Sequence, residues 1–160
     1  MLEIGGLPAH ILLIHGVVVL APVAGILSLL FAGLPRLRSR LAWPLGVLAV
    51  VLVPLSILTA EAGEQLEHTM PESAVIEVHA EQGDLFKTLA VVFFVIVAAQ
   101  IAAAFPQALI RSRRLGGLRN LLGARWVGAL AVVLGIVGGL AIVYQSIVTG
   151  HSGSTSVWGG

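Results

Sequence analysis

Residues 126–149 read WVGALAVVLGIVGGLAIVYQSIVT, a run from Trp126 to Thr149 without one Asp, Glu, Lys or Arg. About 20 such residues carry a helix across the hydrocarbon core of a bilayer. Three more stretches share the property: Ile4–Pro35, Leu41–Ala60 and Thr88–Ile110. The pattern predicts spans at about 8–32, 41–60, 88–105 and 126–149. Pro8 suits a first helical turn, while Pro106 and Gly150 mark ends. Thr69-Met70-Pro71-Glu72 reads as a start signal for the third helix, and residues 61–87 form the loop before its span. The fold class expected is therefore an all-α, polytopic four-transmembrane-helix bundle, a single domain over 1–160.

Composition agrees. Hydrophobic residues make up 58% of the chain and charged residues 11%, against about 25% charged in a soluble domain. Lipid must cover the remaining surface. The chain has no cysteine, which excludes disulfides, thiolate metal sites, iron–sulfur clusters and a cysteine nucleophile. The N-terminus has no basic leader and its apolar run is too long for a signal peptide, so it reads as mature sequence. Small residues are set for helix contact: Gly135 and Gly139 form a small-xxx-small pair with Gly128 seven residues before.

The charges are polarised. Arg36, Arg38 and Arg40 follow the first span, and Arg111, Arg113, Arg114, Arg119 and Arg125 follow the third, together eight of the nine Lys and Arg residues. Positive loops stay in the cytoplasm, which places both termini and the central loop outside, in a multi-pass protein of the cytoplasmic (inner) membrane. Glu3, Glu61, Glu64, Glu67, Glu72, Glu77, Glu81 and Asp84 then lie on the outer side, with His10, His15, His68, His79 and His151. Trp43 and Trp126 suit the cytoplasmic interfacial belt. Basic residues beside the membrane leave no nucleic-acid footprint.

Histidines at one membrane face point to chemistry, because neutral imidazole ligates metals and pairs of imidazoles ligate haem iron. His15 lies two turns into an apolar span, where an ionisable group is expected to face protein or water. His10 and His15 are roughly 140° apart around the helix, so a straight helix does not bring both to one ion. If the second helix continues past the membrane, Glu61, Glu64 and His68 share a face; on the third, Glu77, Glu81 and Asp84 do.

These segments carry a resemblance. Leu7-Pro8-Ala9-His10 through His15-Gly16, Glu61-Ala62-Gly63-Glu64 through His68, His79-Ala80-Glu81-Gln82-Gly83, and Gly150-His151-Ser152-Gly153 through Trp158-Gly159 together resemble a family of small four-helix bacterial membrane proteins catalogued as a domain of unknown function. Ile11 and Gly16 stand where proline and an aromatic are frequent in that family. Some members are fused to Rieske-type iron–sulfur domains, which implies a redox or respiratory setting. The family's motifs fall on His10, His15, Glu64, His79, His151 and Trp158. A tail folded back after Gly150 would lay His151 and Trp158 over the cluster.

Three functions follow as expectations. One is a redox protein holding haem b between two histidines, His15 and His79 first, with His10 and His151 as further candidates and Gly16 and Gly83 leaving room for the macrocycle. Another is a non-haem site for a transition metal ion (Zn, Fe, Mn or Cu) drawn from His10, His15, Glu64, His68 and His79. The third is a non-catalytic accessory subunit whose His and Glu residues form a polar packing network. The partners expected are the lipid bilayer and redox or respiratory membrane proteins, with homo-oligomerisation open and no nucleic acid. A transporter fits less well, since only Ser28, Ser56, Gln100, Tyr144, Gln145 and Ser146 offer polarity within or near the spans. No phosphate loop, nucleophile elbow, zincin or dinucleotide fingerprint is present.

Overall fold

The computed structural model describes residues 3–4, 6–71, 73–110 and 115–158. A two-residue antiparallel pair, β1 (Glu3–Ile4) with β2 (Leu7–Pro8), leads into α1 (Ala9–Gly33). Then come α2 (Arg38–Glu67), α3 (Ala74–Ala104), the short α4 (Pro106–Leu109) and α5 (Gly116–Leu122), and α6 (Arg125–Trp158). The long helices α1, α2, α3 and α6 are each long and apolar enough to cross a membrane. α1 packs on α2 and α6, and α3 packs on the same two, which closes a four-helix ring. The chain is an all-α bundle, as its charge-free runs predict.

A helix is the answer lipid demands, because its backbone groups bond within the segment. Between 22 and 28% of the residues in each apolar window are buried. The rest, including Val19, Val50, Val95 and Val137, face outward, where only lipid accommodates them. Trp43 and Trp126 are exposed near the arginine-bearing ends of their helices, as expected of interfacial side chains.

The buried positions form a regular seam. They fall at Val17, Ala21, Ala24, Ser28 and Phe31 on α1; Leu45, Ala49, Leu52, Ser56 and Thr59 on α2; and Phe86, Ala90, Phe93, Val97 and Gln100 on α3. On α6 they are Ala131, Gly135, Gly138, Ile142, Gln145 and Thr149, with Gly139 and Ser146 buried beside them. Every series alternates steps of four and three, the 3.5-residue repeat that winds helices into a left-handed bundle. Ala, Gly and Ser alternate along the seam with larger Val, Leu, Ile and Phe, and at the small positions the helix backbones can approach closely.

The closest approach joins α1 to α6. A Cβ on Gly25 would lie 2.7 Å from the Gly139 carbonyl oxygen, and one on Gly139 would lie 2.9 Å from that of Gly25. Gly135 serves the other neighbour, since a Cβ there would meet the Gln100 amide of α3. The expected Gly135/Gly139 pair thus packs on two partners at once. A Cβ on Gly128 would meet nothing within 4 Å, so Gly128 is not part of either crossing. Arg38 closes the arginine end of α1: its Nε and Nη2 donate to the carbonyls of Phe31 (3.0 Å) and Ala32 (3.2 Å), with the guanidinium 5.7 Å from the Phe31 ring centroid. These are carbonyls of the last helical turn, which lack helical donors.

Two boundaries differ from expectation. Residues 61–87 are helical apart from a turn at 68–73, in which Glu72 lies outside the described residues; α2 continues past the expected span and α3 starts soon after Pro71. α6 does not stop at Gly150 but runs to Trp158. The Ser146, Ser152 and Ser154 hydroxyls bond carbonyls one turn back, and Gly150 and Gly153 sit within the helix, so the tail extends instead of folding back. Arg111, Arg113 and Arg114 lie outside the described residues.

Gly25→Ala is expected to lower stability by about 1–3 kcal/mol, the cost of overpacking a tight contact. Gly33→Ala, whose Cβ would meet nothing within 4 Å, should stay within about 0.5 kcal/mol. Thermal unfolding of both variants in one detergent tests the crossing; equal losses would refute it.

Candidate functional site

The end of the bundle opposite the arginines holds a cavity of about 960 Å³. Its apolar wall includes Ile14, Val17, Ile76 and Phe86, and its polar groups include His10, His79, Glu64 and Lys87. His10 stands in the first turn of α1 and His79 in the second turn of α3. Both are half-buried. Their ring centroids are 6.0 Å apart with planes at 82°.

The hydrogen bonds decide where the protons of these rings sit. His10 Nδ1 lies 2.8 Å from the backbone oxygen of Thr59 on α2. A carbonyl only accepts, so Nδ1–H donates and Nε2 keeps the lone pair. At His79, Nδ1 lies 2.9 Å from the Ser152 hydroxyl of α6, and that hydroxyl donates to the Thr149 carbonyl at 3.0 Å. Its one proton is committed there, so Ser152 accepts from His79 Nδ1–H. In the neutral form, each ring so bonded carries its lone pair on Nε2. An imidazole fixed through Nδ1–H with Nε2 available is how metal-ligating histidines are commonly oriented.

Glycines make room for both rings. A Cβ on Gly63 would stand 2.9 Å from His10, and one on Gly153 would stand 3.0 Å from Cε1 of His79. Below His79 a second polar level joins α3 to α6: Gln145 Nε2 donates to Gln82 Oε1 at 2.7 Å. Gln145 and Thr149 are buried. This level holds the two helices in the register that brings Ser152 to His79.

The other expected residues are distributed differently. His15 lines the cavity but is exposed, and its Nδ1 donates to the Ile11 carbonyl of its own helix. Glu64 is exposed on the cavity rim. His68 is exposed in the turn after α2, and His151 is exposed on α6; neither lines the cavity. Trp158 ends α6, and its side chain lies outside the described residues. Among the described residues, no three of His, Asp and Glu converge to hold a metal ion. The mixed set of His10, His15, Glu64, His68 and His79 is thus not assembled, because the carboxylates stand out into solvent along the rim. The imidazole beside His79 is His10, not His15.

Thr59, Gly63, Ser152, Gly153 and Lys87 are the residues that sequence reasoning left without a role. Thr59 acts through its backbone, which no residue type announces. Ser152 and Gly153 had a signal, since they sit in the closing motif of the resemblance. Lys87 had one as well: it is the one Lys or Arg outside the two arginine-bearing loops. It bonds Asp84 at 2.7 Å, one turn along a half-exposed helix face, a pair of the kind worth about 0–1 kcal/mol.

No protein-family model, curated protein or solved structure matches the chain.

The tautomers can be read directly. ¹⁵N NMR of the ligand-free protein at alkaline pH should show Nδ1–H at both His10 and His79; Nε2–H at either would contradict the geometry. Ser152→Ala should lower stability by about 1 kcal/mol and release the tautomer of His79 while leaving that of His10.

Proposed function

We propose that the chain is an integral membrane redox protein that carries haem b at the extracytoplasmic end of its bundle, where His10 and His79 would hold the iron. The observation that carries this reading is the close edge-to-face pair of His10 and His79 on the wall of a large, mostly apolar cavity, with no third His, Asp or Glu among the described residues converging on them. A bare zinc site takes three or four protein ligands, whereas a haem supplies four nitrogens and leaves two positions for imidazoles. A volume of about 960 Å³ lies at the upper end of the range for pockets that enclose large ligands.

When bound, the haem would take up and release one electron; the protein's part is to hold it and exclude water. Thr59 and Ser152 orient the rings through their hydrogen bonds. Among the described residues, Lys87 is the one Lys or Arg lining the cavity, and it is the group that would meet a propionate, exchanging its weak Asp84 contact for it. The resemblance to a family fused in places to Rieske-type domains points to the same redox setting, and the arginine asymmetry supports an outward-facing site in the inner membrane.

A second reading has its own observation. His10 already joins α1 to α2, and His79 joins α3 to α6, so the cluster would also serve an accessory subunit as a polar network needing no ligand. Haem titration of the purified protein separates the two. The haem reading predicts a sharp Soret band that shifts on dithionite reduction, lost in His10→Ala and in His79→Ala and kept in His15→Ala and His151→Ala. Ser152→Ala should weaken binding about 10- to 100-fold. Wild-type protein should prefer haem to its dimethyl ester, and Lys87→Met should lose that preference. Histidine variants that lose stability while no haem binds to the wild type would establish the network instead.

A further inference from the structure

We infer that the cleft between α1 and α6 at the outer end of the bundle binds an uncharged, lipid-dissolved hydroquinone, one hydroxyl of which donates to His15. The choice of a redox-active ligand rests on the haem reading; the cleft itself is a feature of the fold. Successive residues turn about 100° around a helix, so positions seven apart fall nearly on one stripe. On α1 that stripe runs through Ile11, Val18 and Gly25, with Leu29 one turn beyond. Gly25 and Leu29 pack on Gly139 of α6. Farther out, a Cβ on Gly150 of α6 would still reach Val18, at 3.9 Å. Ile11, two turns farther again, is 41% exposed, so α6 no longer covers the stripe there.

The opening is continuous with the cavity. Ile11, Val18, Val19 and Gly150 all line the cavity, yet Val18 and Val19 are also exposed on the outward side of α1. Neither wall holds an Asp, Glu, Lys or Arg, since α1 has none and α6 has none beyond Arg125. Such walls in spanning helices open toward hydrocarbon, so a ligand entering from the side comes dissolved in lipid. A charged head group drawn into the cleft would lose water and gain no opposite charge from either wall, at large cost. The ligand that fits is therefore uncharged.

His15 supplies the polar contact. It lines the cavity and is exposed. Its Nδ1–H donates to the Ile11 carbonyl, so in the neutral ring Nε2 keeps the lone pair. Among the described residues, that atom has no hydrogen-bond partner. An acceptor at the edge of hydrocarbon calls for a donor. Acyl chains offer none, and their ester groups only accept. A hydroquinone brings a hydroxyl donor, a flat apolar ring to lie against Ile14 and Gly150, and an isoprenoid tail to leave past Val18 and Val19. It also carries electrons in a form soluble in lipid. His10 is roughly 140° around α1 from His15, so the two imidazoles serve different parts of the cavity.

Photolabelling of the wild-type protein in phosphatidylcholine nanodiscs tests this, with a decyl hydroquinone bearing a diazirine beside its ring as the probe. Mass spectrometry should find labelling concentrated around His15 of α1 and Gly150 of α6, displaced by excess unlabelled decyl hydroquinone and not by oleate. His15→Ala should weaken binding about 3- to 10-fold, the loss of one hydrogen bond, and Gly150→Leu, which fills the cleft, should abolish the displaceable labelling. Labelling spread over the outward faces of all four helices, equal displacement by oleate, or full affinity in His15→Ala would overturn the inference. Haem titration of the same samples keeps the two readings apart. Haem binding without displaceable labelling removes the hydroquinone and leaves the haem; displaceable labelling of protein that binds no haem removes the haem and leaves the cleft as the binding site.

Discussion

Everything in this bundle follows from how the backbones of α1 and α6 meet at Gly25 and Gly139. Lipid removes the hydrophobic force that would drive one apolar helix onto another. Association must come from close packing and from the few polar groups that can bond across helices. The glycine crossing supplies the first. It fixes the separation of α1 and α6, and through Gly135 it admits the Gln100 side chain of α3 into the same junction. Without that approach, Ser28, Gln100 and Gly135 would not meet, and α3 would have no polar tie at the arginine end.

The polar ties form three levels with apolar packing between them. Ser28, Gln100 and Gly135 make one near the arginine end. Gln82, Gln145 and Thr149 make the next, between α3 and α6. His10 with Thr59, and His79 with Ser152, make the third, around the cavity. The first two levels position helices. The third positions helices and also leaves two nitrogen lone pairs available, which is what sets it apart chemically. A network built only for packing would gain from engaging those nitrogens; here both Nδ1 atoms are engaged, and among the described residues neither Nε2 has a hydrogen-bond partner.

The spans were legible because a charge-free run of this length has few other uses, and the spacing of Arg36–Arg40 and Arg111–Arg125 separated the two ends of the bundle at once. The seam was not legible from hydrophobicity. In a soluble helix the apolar face is the buried one, but here Val, Leu and Ile lie on both faces, buried at Val17, Leu45, Leu52, Val97 and Ile142 and exposed at Val19, Val50, Val95 and Val137, so the useful signal is where Ala, Gly and Ser fall at alternating steps of four and three. The extension of α6 past Gly150 was hidden for a related reason: glycine and serine end helices in water, yet serine hydroxyls bonded one turn back are readily accommodated within them. At the site, His79 was legible as a residue type in an unusual place. Its partner was not, because His10 and His15 are equivalent in sequence, and only the position of Gly63, which leaves room for an imidazole beside α2, distinguishes them.

The central claim is that His10 and His79 face one iron. Electron paramagnetic resonance of the ferric protein, purified from haem-replete cells, examines it most directly. The account predicts a low-spin signal of bis-imidazole type, strongly anisotropic because the ring planes are close to perpendicular, and absent from His10→Ala. A high-spin signal in the wild type, or no haem signal at all, would contradict it.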